Sequence, residues 1–289
     1  MQIKVENLSM IYSPGLPYET KALEDINFTV QQGEFLGIIG HTGSGKTTLV
    51  QCIAGLLAPT GGQVVAVAED GTETVISQKG KEAFQVRRSV GIVFQYPEYQ
   101  LFEETVMKDV CFGPKNQGLS EDEQKARARE ALDLVGINAD EKGEASPFDL
   151  SGGQKRRVAI AGVLAMQPSV LILDEPTAGL DPKGHDDILE MIRRIRTEKN
   201  MTIILVSHNM DDVAEYADRV LAMDRGKLML LGTPREVFCE HEEELRSVGL
   251  DIPAGPAFLW MLKDRGLDLD DNHLSFDDTA DEIIRALKK

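Results

Sequence analysis

The sequence is short of the features that mark secreted, membrane-spanning or nucleic-acid-binding chains. Its cysteines, Cys52, Cys111 and Cys239, are odd in number, far apart and never spaced C-x-x-C. That excludes a disulfide framework and a zinc site, and fits a reducing compartment. There is no run of about 18 apolar residues to cross a bilayer, and the opening Met1-Gln2-Ile3-Lys4-Val5-Glu6 lacks the apolar stretch of a signal peptide. Basic residues are scarce: 31 against 48 acidic ones leave a formal charge of -17 and a pI near 4.7. Nucleic acid and anionic lipid would both repel such a molecule as a whole. Internal repeats, coiled-coil heptads and low-complexity tracts are also missing. What remains is an ordinary globular composition, 42% hydrophobic and 27% charged over 289 residues. This is enough for one large domain with a smaller addition, or for two domains.

Residues 40–47 read G-H-T-G-S-G-K-T and fit the phosphate-binding pattern G-x-x-x-x-G-K-[ST] at every fixed position. The apolar run Phe35-Leu36-Gly37-Ile38-Ile39 leads into it and a helix-compatible stretch, 46–57, leaves it, which is the strand-loop-helix context the pattern requires. Gly40, Gly43 and Gly45 let the backbone curl so that the N–H groups of His41, Thr42 and Ser44 turn inward, and the new helix adds the positive end of its dipole. In this reading Lys46 reaches the outer phosphates of a nucleotide, Thr47 holds Mg2+, and Thr48 extends the cradle. A glycine-rich turn that merely contains Lys and Thr would not carry these flanks.

Along the chain, Ile3-x-Val5-x-x-Leu8 and Leu23-x-x-Ile26-x-Phe28-x-Val30 alternate and predict strands with one buried face. With a hairpin around Glu69-Asp70-Gly71 they make a small antiparallel part. Between the first two lies a Pro/Gly loop, residues 12–18. Its Tyr12 is placed either to stack on a nucleotide base or to cover local core. Val90 to Phe94 predicts a buried strand ending at Gln95. Residues 96–150 follow as a helical insert, with Ser120 and Glu123 forming a capping box at the start of a charged helix. Leu150-Ser151-Gly152-Gly153-Gln154 precedes a helix over 155–166. Apolar strands at 170–173 and 202–206, with a helix over 183–199 between them, imply a mostly parallel sheet. The fold class is therefore α/β. The main domain is expected over 1–240. Residues 241–289 are expected to form a small helical appendage, with twelve acidic side chains against six basic ones from Glu242 onward.

Asp174 and Glu175 close an apolar strand, where a carboxylate can hold the Mg2+ that bridges the β- and γ-phosphates and its neighbour can polarise a water. A solvated acidic turn is the plainer reading, set aside because of the phosphate loop. His208 also follows an apolar strand directly, a position that suits contact with the γ-phosphate or the water, although a lone His is more often structural.

Phosphate loop, L-S-G-G-Q, I-L-D-E and a strand-end His, in this order, resemble the ATP-binding-cassette ATPases over about residues 1–240. The resemblance implies two cassettes packed head to tail, with Ser151, Gly152, Gly153 and Gln154 of one chain contacting the ATP held by the other. It further implies Tyr12 as the adenine-stacking residue, Gln95 as a contact to Mg2+ and water, Glu175 as general base, His208 as switch and Asp181 in a loop crossing the dimer interface. Tyr96-Pro97-Glu98-Tyr99-Gln100-Leu101-Phe102-Glu103-Glu104-Thr105-Val106, the run from Gly153 to Gly162, and the acidic tail look more narrowly like the ATPase subunits of energy-coupling factor transporters. The 12–18 insert and the E-E-T-V run are similar to the second of their two paired ATPases. Gly162 stands where many cassette proteins have Arg.

That narrower resemblance implies an importer of vitamins or transition metal ions. Its partners would be a second, related ATPase subunit, an integral membrane coupling subunit and a substrate-binding membrane subunit, with this chain peripheral at the cytoplasmic face of a prokaryotic membrane. Tyr99, Leu101, Phe102, Glu103 and Glu104 are the expected docking residues, since apolar groups beside carboxylates suit an amphipathic helix carrying Arg. An acidic helix start favoured by the dipole alone is the alternative. Other readings are the ATPase of a different importer, a cassette ATPase acting on nucleic acid or ribosomes, and a regulator without hydrolysis. The second would need paired cassettes, a coiled coil or a basic surface, and the last would lack Glu175.

Overall fold

The computed structural model describes residues 1–267, 269–270, 274 and 276–287. Strands β1 (Gln2–Tyr12) and β2 (Thr20–Val30) form a long hairpin, after which β3 (Phe35–Gly40) runs into the phosphate loop and helix α1 (Lys46–Ile53). Next come β4 (Gly61–Val67), β5 (Glu73–Val75), α2 (Lys81–Arg88) and β6 (Val90–Val93). The insert contributes α3 (Val106–Asn116), α4 (Glu121–Leu134) and the short α5 (Ala139–Lys142). The second half alternates: α6 (Gly152–Leu164), β7 (Val170–Asp174), α7 (Pro182–Lys199), β8 (Thr202–Val206) and α8 (Met210–Tyr216). A hairpin of β9 (Arg219–Asp224) and β10 (Lys227–Gly232) follows, and α9 (Glu242–Ser247), α10 (Ala254–Asp264) and α11 (Phe276–Leu287) end the chain.

Two sheets result. The smaller, ordered β2-β1-β4-β5, is antiparallel throughout. The larger, ordered β10-β9-β3-β8-β7-β6, is parallel except for the edge hairpin of β9 and β10. Alternation within its apolar strands explains why they are apolar on both faces. Phe35, Ile39, Leu171, Leu173, Ile203 and Leu205 enter one core with the helices of the insert and α7. Leu36, Ile38, Ile172, Ile204 and Val206 enter a second core with α1 and the antiparallel sheet. Gly37 marks the closest helix approach: a Cβ there would lie 2.5 Å from Val213 of α8, so any side chain would push the helix off the sheet.

The α/β cassette with its antiparallel part and helical insert is as the sequence implies, and the differences have local causes. Helix α2 falls where no helix is foreseen; it is mostly polar and buries only Ala83, so its apolar periodicity is weak. Helix α6 begins at Gly152 rather than at 155, because Ser151 and Gln154 form a second capping box. The capping box of Ser120 and Glu123 forms as expected. The boundary at residue 240 does not divide the core, since Leu245 and Leu250 are buried in the same cluster as the insert helices.

Candidate functional site

Strand β3 ends at Gly40, and the phosphate loop turns through Gly40 (φ 152°), Gly43 (φ 83°) and Gly45 (φ 104°). Two of these positions admit only glycine. A Cβ at Gly40 would lie 2.5 Å from Met223 O and from Ser44 Oγ, and one at Gly45 would lie 2.5 Å from Ala22 O. Helix α1 then starts with no acidic residue in its first turn and no side-chain cap. Its leading N–H groups keep their partial positive charge for an anion. Lys46 is buried and donates from Nζ to Gly40 O (2.6 Å) and His41 O (2.9 Å), which holds the ammonium over the loop. Burial pushes the Lys46 ammonium below its ordinary value, against the opposing pull of Glu175 and Asp174. Among the described residues, Ser44 Oγ is the buried side-chain polar atom with no hydrogen-bond partner.

Parallel pairing brings the rest of the site to this loop. In the order β3-β8-β7-β6 four neighbouring strands run the same way, and their carboxyl ends deliver the loop, His208, Asp174 with Glu175, and Gln95 side by side. Thr47 Oγ1 donates to Asp174 Oδ2 (3.4 Å), Gln95 Nε2 donates to Glu175 Oε2 (3.0 Å), and His208 Nε2 sits 2.5 Å from Glu175 Oε1. Burial raises the Asp174 carboxyl, although Thr47, Lys46 and His208 pull it down. Glu175 is held at φ 52°, a conformation that costs a non-glycine residue about 1 to 3 kcal/mol and is kept only where its surroundings fix it. Lys46, Thr47, Gln95, Glu175 and His208 line a cleft of about 420 Å³ together with Tyr12, Thr42, Gly43 and Thr48, and Asp174 is buried behind Thr47. Thr47 and Asp174 are hard oxygen donors of the kind Mg2+ takes. No cluster of three acidic, His or Cys side chains able to hold a metal is found among the described residues.

Tyr12 closes strand β1 at the cleft, its hydroxyl 3.3 Å from Thr48 Oγ1 and its ring partly exposed. Tyr18 is more exposed still and does not line the cleft. His41 behaves differently from its neighbours: its ring Nε2 is hydrogen-bonded to the carbonyl of Val248, so the phosphate loop touches the C-terminal segment. Ser151, Gly152, Gly153 and Gln154 do not line the cleft; Ser151 Oγ accepts from Gln154 N (3.4 Å) and Ser151 N donates to Gln154 Oε1 (3.1 Å) at the exposed start of α6. Asp181 is exposed before Pro182 of α7.

The expected docking residues divide. Tyr99 (83% exposed) and Phe102 (57%) stand out, and Glu104 pairs with Lys108 four residues on. Leu101 corrects the reading, because it is buried in the core with Val106 and Val110 and cannot meet a partner. A group missed in the sequence is Arg156, a basic residue in a basic run that is nonetheless 2% exposed. It pairs with Glu98 of the same loop.

A family model described as "ABC transporter" matches residues 23–178. The "Energy-coupling factor transporter ATP-binding protein EcfA2" of Caldanaerobacter subterraneus subsp. tengcongensis is 54% identical over all of this chain and 98% of its own length. The protein of the same name from Clostridium tetani is 50% identical over 99% of this chain and 97% of its own. Among solved structures, cbiO1 from Clostridium perfringens, described as part of the ABC transporter complex cbiONQ, superposes with a TM-score of 0.73 at 41% identity, covering 90% of this chain and 98% of that one. The ATP-binding cassette MJ0796, solved as a dimer in a post-hydrolysis state with ADP and Pi, gives 0.69 at 29% identity over 80% of this chain and 98% of its own.

A second ionisable pair ties α7 to α8. His185 Nε2 lies 3.0 Å from Asp212 Oδ2, and its Nδ1 lies 3.0 Å from Asp186 Oδ1. Burial pushes the Asp212 carboxyl up to about 6, against the pull of His185 and with added push from Asp211 and Glu215. Burial opposes the charge on His185, but Asp186 and Asp212 together raise it. Both groups hold protons more tightly folded than unfolded. Their stabilising contribution is therefore full below the ordinary carboxylate value of 3.8, and is lost as pH rises through about 6 and on through the raised His185 range. Paired melts at about pH 5 and about pH 8 should show wild type losing more of its margin over the variant His185→Gln/Asp212→Asn at the higher pH. An unchanged margin would mean that the pair does not titrate in that window.

Proposed function

This chain belongs to the ABC transporter family, among the ATP-binding proteins of energy-coupling factor transporters, and we propose how its residues divide the work of hydrolysing ATP to drive micronutrient import. The observation that carries the assignment is the meeting of Gln95, Glu175 and His208 with Lys46 and Thr47 in one cleft. Backbone N–H groups of residues 40–48 and the Lys46 ammonium bind the phosphates, and Tyr12 stacks on the base. Mg2+, when bound, neutralises phosphate charge, and Thr47 and Asp174, with Gln95, are the residues that would hold it. Glu175 accepts the proton of the attacking water as its oxygen bonds to the γ-phosphorus and the bond to ADP breaks; Gln95, which donates to that carboxylate, and His208, whose ring nitrogen lies against it, fix its direction. Glu175→Gln should leave ATP affinity intact and slow hydrolysis about 100- to 10,000-fold in single-turnover assays. Hydrolysis near the wild-type rate would remove Glu175 from the role of base.

The signature residues Ser151 to Gln154 lie outside the chain's own cleft at an exposed helix start, which supports their acting on ATP held by a second cassette, with Asp181 at the junction. A related but different ATPase subunit is the proposed second cassette, in keeping with the narrower resemblance. No described helix is long and apolar enough to cross a membrane. The chain is proposed to sit peripherally at the cytoplasmic face of a prokaryotic membrane, bound to a coupling subunit and through it to a substrate-binding subunit. Its acidic balance speaks against nucleic acid as partner.

For docking, Tyr99, Phe102, Glu103 and Glu104 stay in the proposal without Leu101. A groove of about 490 Å³ between α3 and α4 opens beside them, lined by Glu103, Met107 and Phe112 and by Lys108, Lys115 and Lys125, and Phe102 packs edge to face on Phe112. A helix carrying apolar residues suits the aromatic edge, and basic residues on it suit Glu103 and Glu104 and not the lysine side of the groove. Glu103→Arg with Glu104→Arg should preserve ATP binding and reduce copurification with the membrane subunits, and high salt should weaken the wild-type complex. Full assembly and transport by the double variant would place the docking surface elsewhere.

A further inference from the structure

Arg156 is among the largest fully buried side chains of the described residues, and it is charged. Four hydrogen bonds leave its guanidinium. Nε and Nη2 donate to the two oxygens of Glu98 (3.0 and 2.7 Å), and Nη1 donates to the carbonyls of Pro176 (3.0 Å) and Ala178 (2.8 Å). Its Cζ also lies 6.0 Å from the centre of the Tyr96 ring. Burial by itself would raise the Glu98 carboxyl, but the bonds from Arg156 outweigh it and leave Glu98 below its ordinary value.

These partners belong to two loops that leave neighbouring strands. One starts with Gln95 and carries Tyr96 at φ 54°; the other starts with Glu175 at φ 52°. Both positive-φ residues need their surroundings to hold them. The loops touch at their tips, where a Cβ on Gly179 would lie 3.5 Å from the Tyr96 ring, and at their roots, where Gln95 bonds Glu175. Arg156 clamps the middle, from a helix whose own start is the signature Ser151. Only a planar fork with several donors can reach a carboxylate and two carbonyls at once.

We propose that Arg156, braced by Glu98, is a positioning residue for hydrolysis: it sets the place of Glu175 and of the following segment, and it links the 96–104 surface to them. This rests on the reading of Glu175 as base, and it does not depend on where the membrane subunit docks.

The test uses the transporter purified intact from membranes, with kcat, KM for ATP, subunit copurification and melting temperature read for each variant. Glu98→Gln and Arg156→Lys should each keep assembly, keep KM within about twofold and lower kcat about 10- to 100-fold, the scale of a misplaced reacting group. The two losses should not multiply in the double variant, because both break one unit. An apolar replacement of the pair, Glu98→Leu/Arg156→Met, guards against a folding defect: it leaves no unpaired buried charge and costs only the bonds to the Pro176 and Ala178 carbonyls, so the melting temperature should rise above that of the single variants while kcat does not. Wild-type kcat in both single variants, multiplying losses, or recovery of kcat along with stability in the apolar pair would each overturn the proposal. If Glu175→Gln itself hydrolyses ATP normally, the underlying reading has failed, and that result is separate from the Arg156 series.

Discussion

The structure depends on four parallel strands ending together. An open parallel sheet offers its carboxyl ends as one edge, and groups placed there need no long-range coordination to meet. Here β6, β7 and β8 follow one another across the sheet and β3, from far earlier in the chain, pairs with β8, so residues about 80 and 160 positions apart in order become a single cleft. The strands can hold this edge rigid because both of their faces are buried, one against the helices and one against the antiparallel sheet. Charge is then set against charge within it: the desolvated Lys46 faces Asp174 and Glu175, and a polyphosphate arriving between them answers the ammonium.

Where the chemistry dictates residue type and spacing together, the sequence was readable. Gly40, Gly45 and Lys46 have no freedom to vary within such a loop, and strands with unbroken apolar runs announce a buried parallel sheet. What escaped depended on tertiary context or on signals passed over. Arg156 reads as one more cation in Lys155-Arg156-Arg157, and nothing local says that a glutamate 58 residues away will bury it. Leu101 reads as exposed beside Tyr99 and Phe102 because a loop has no period to separate inward from outward. Helix α2 lacks an apolar stripe. Two features were legible and missed. The β9–β10 hairpin has a buried apolar strand followed by Asp224-Arg225-Gly226, with Gly226 at φ 79°. The box S-x-x-Q at 151–154 is the same device as at Ser120.

That second box matters beyond the fold. The residues expected to reach another chain's ATP are the ones that cap α6, so the geometry of the signature is fixed before any partner arrives. The C-terminal segment is likewise built in and not merely attached. Leu245 and Leu250 share the main core, and Val248 accepts the hydrogen bond of His41 from within the phosphate loop. The cleft therefore has fixed walls on the chain's own side, and under the proposed function its open face meets the signature of another cassette.

Turnover as a function of protein concentration, for the purified chain alone and with a related ATPase subunit added, tells whether the cleft works only against a second cassette. Hydrolysis by the chain alone should be slow, with specific activity climbing as dimers form and rising further when the second subunit is supplied. Rapid turnover by a monomer, at a rate per molecule that does not change with concentration or with the added subunit, would contradict it.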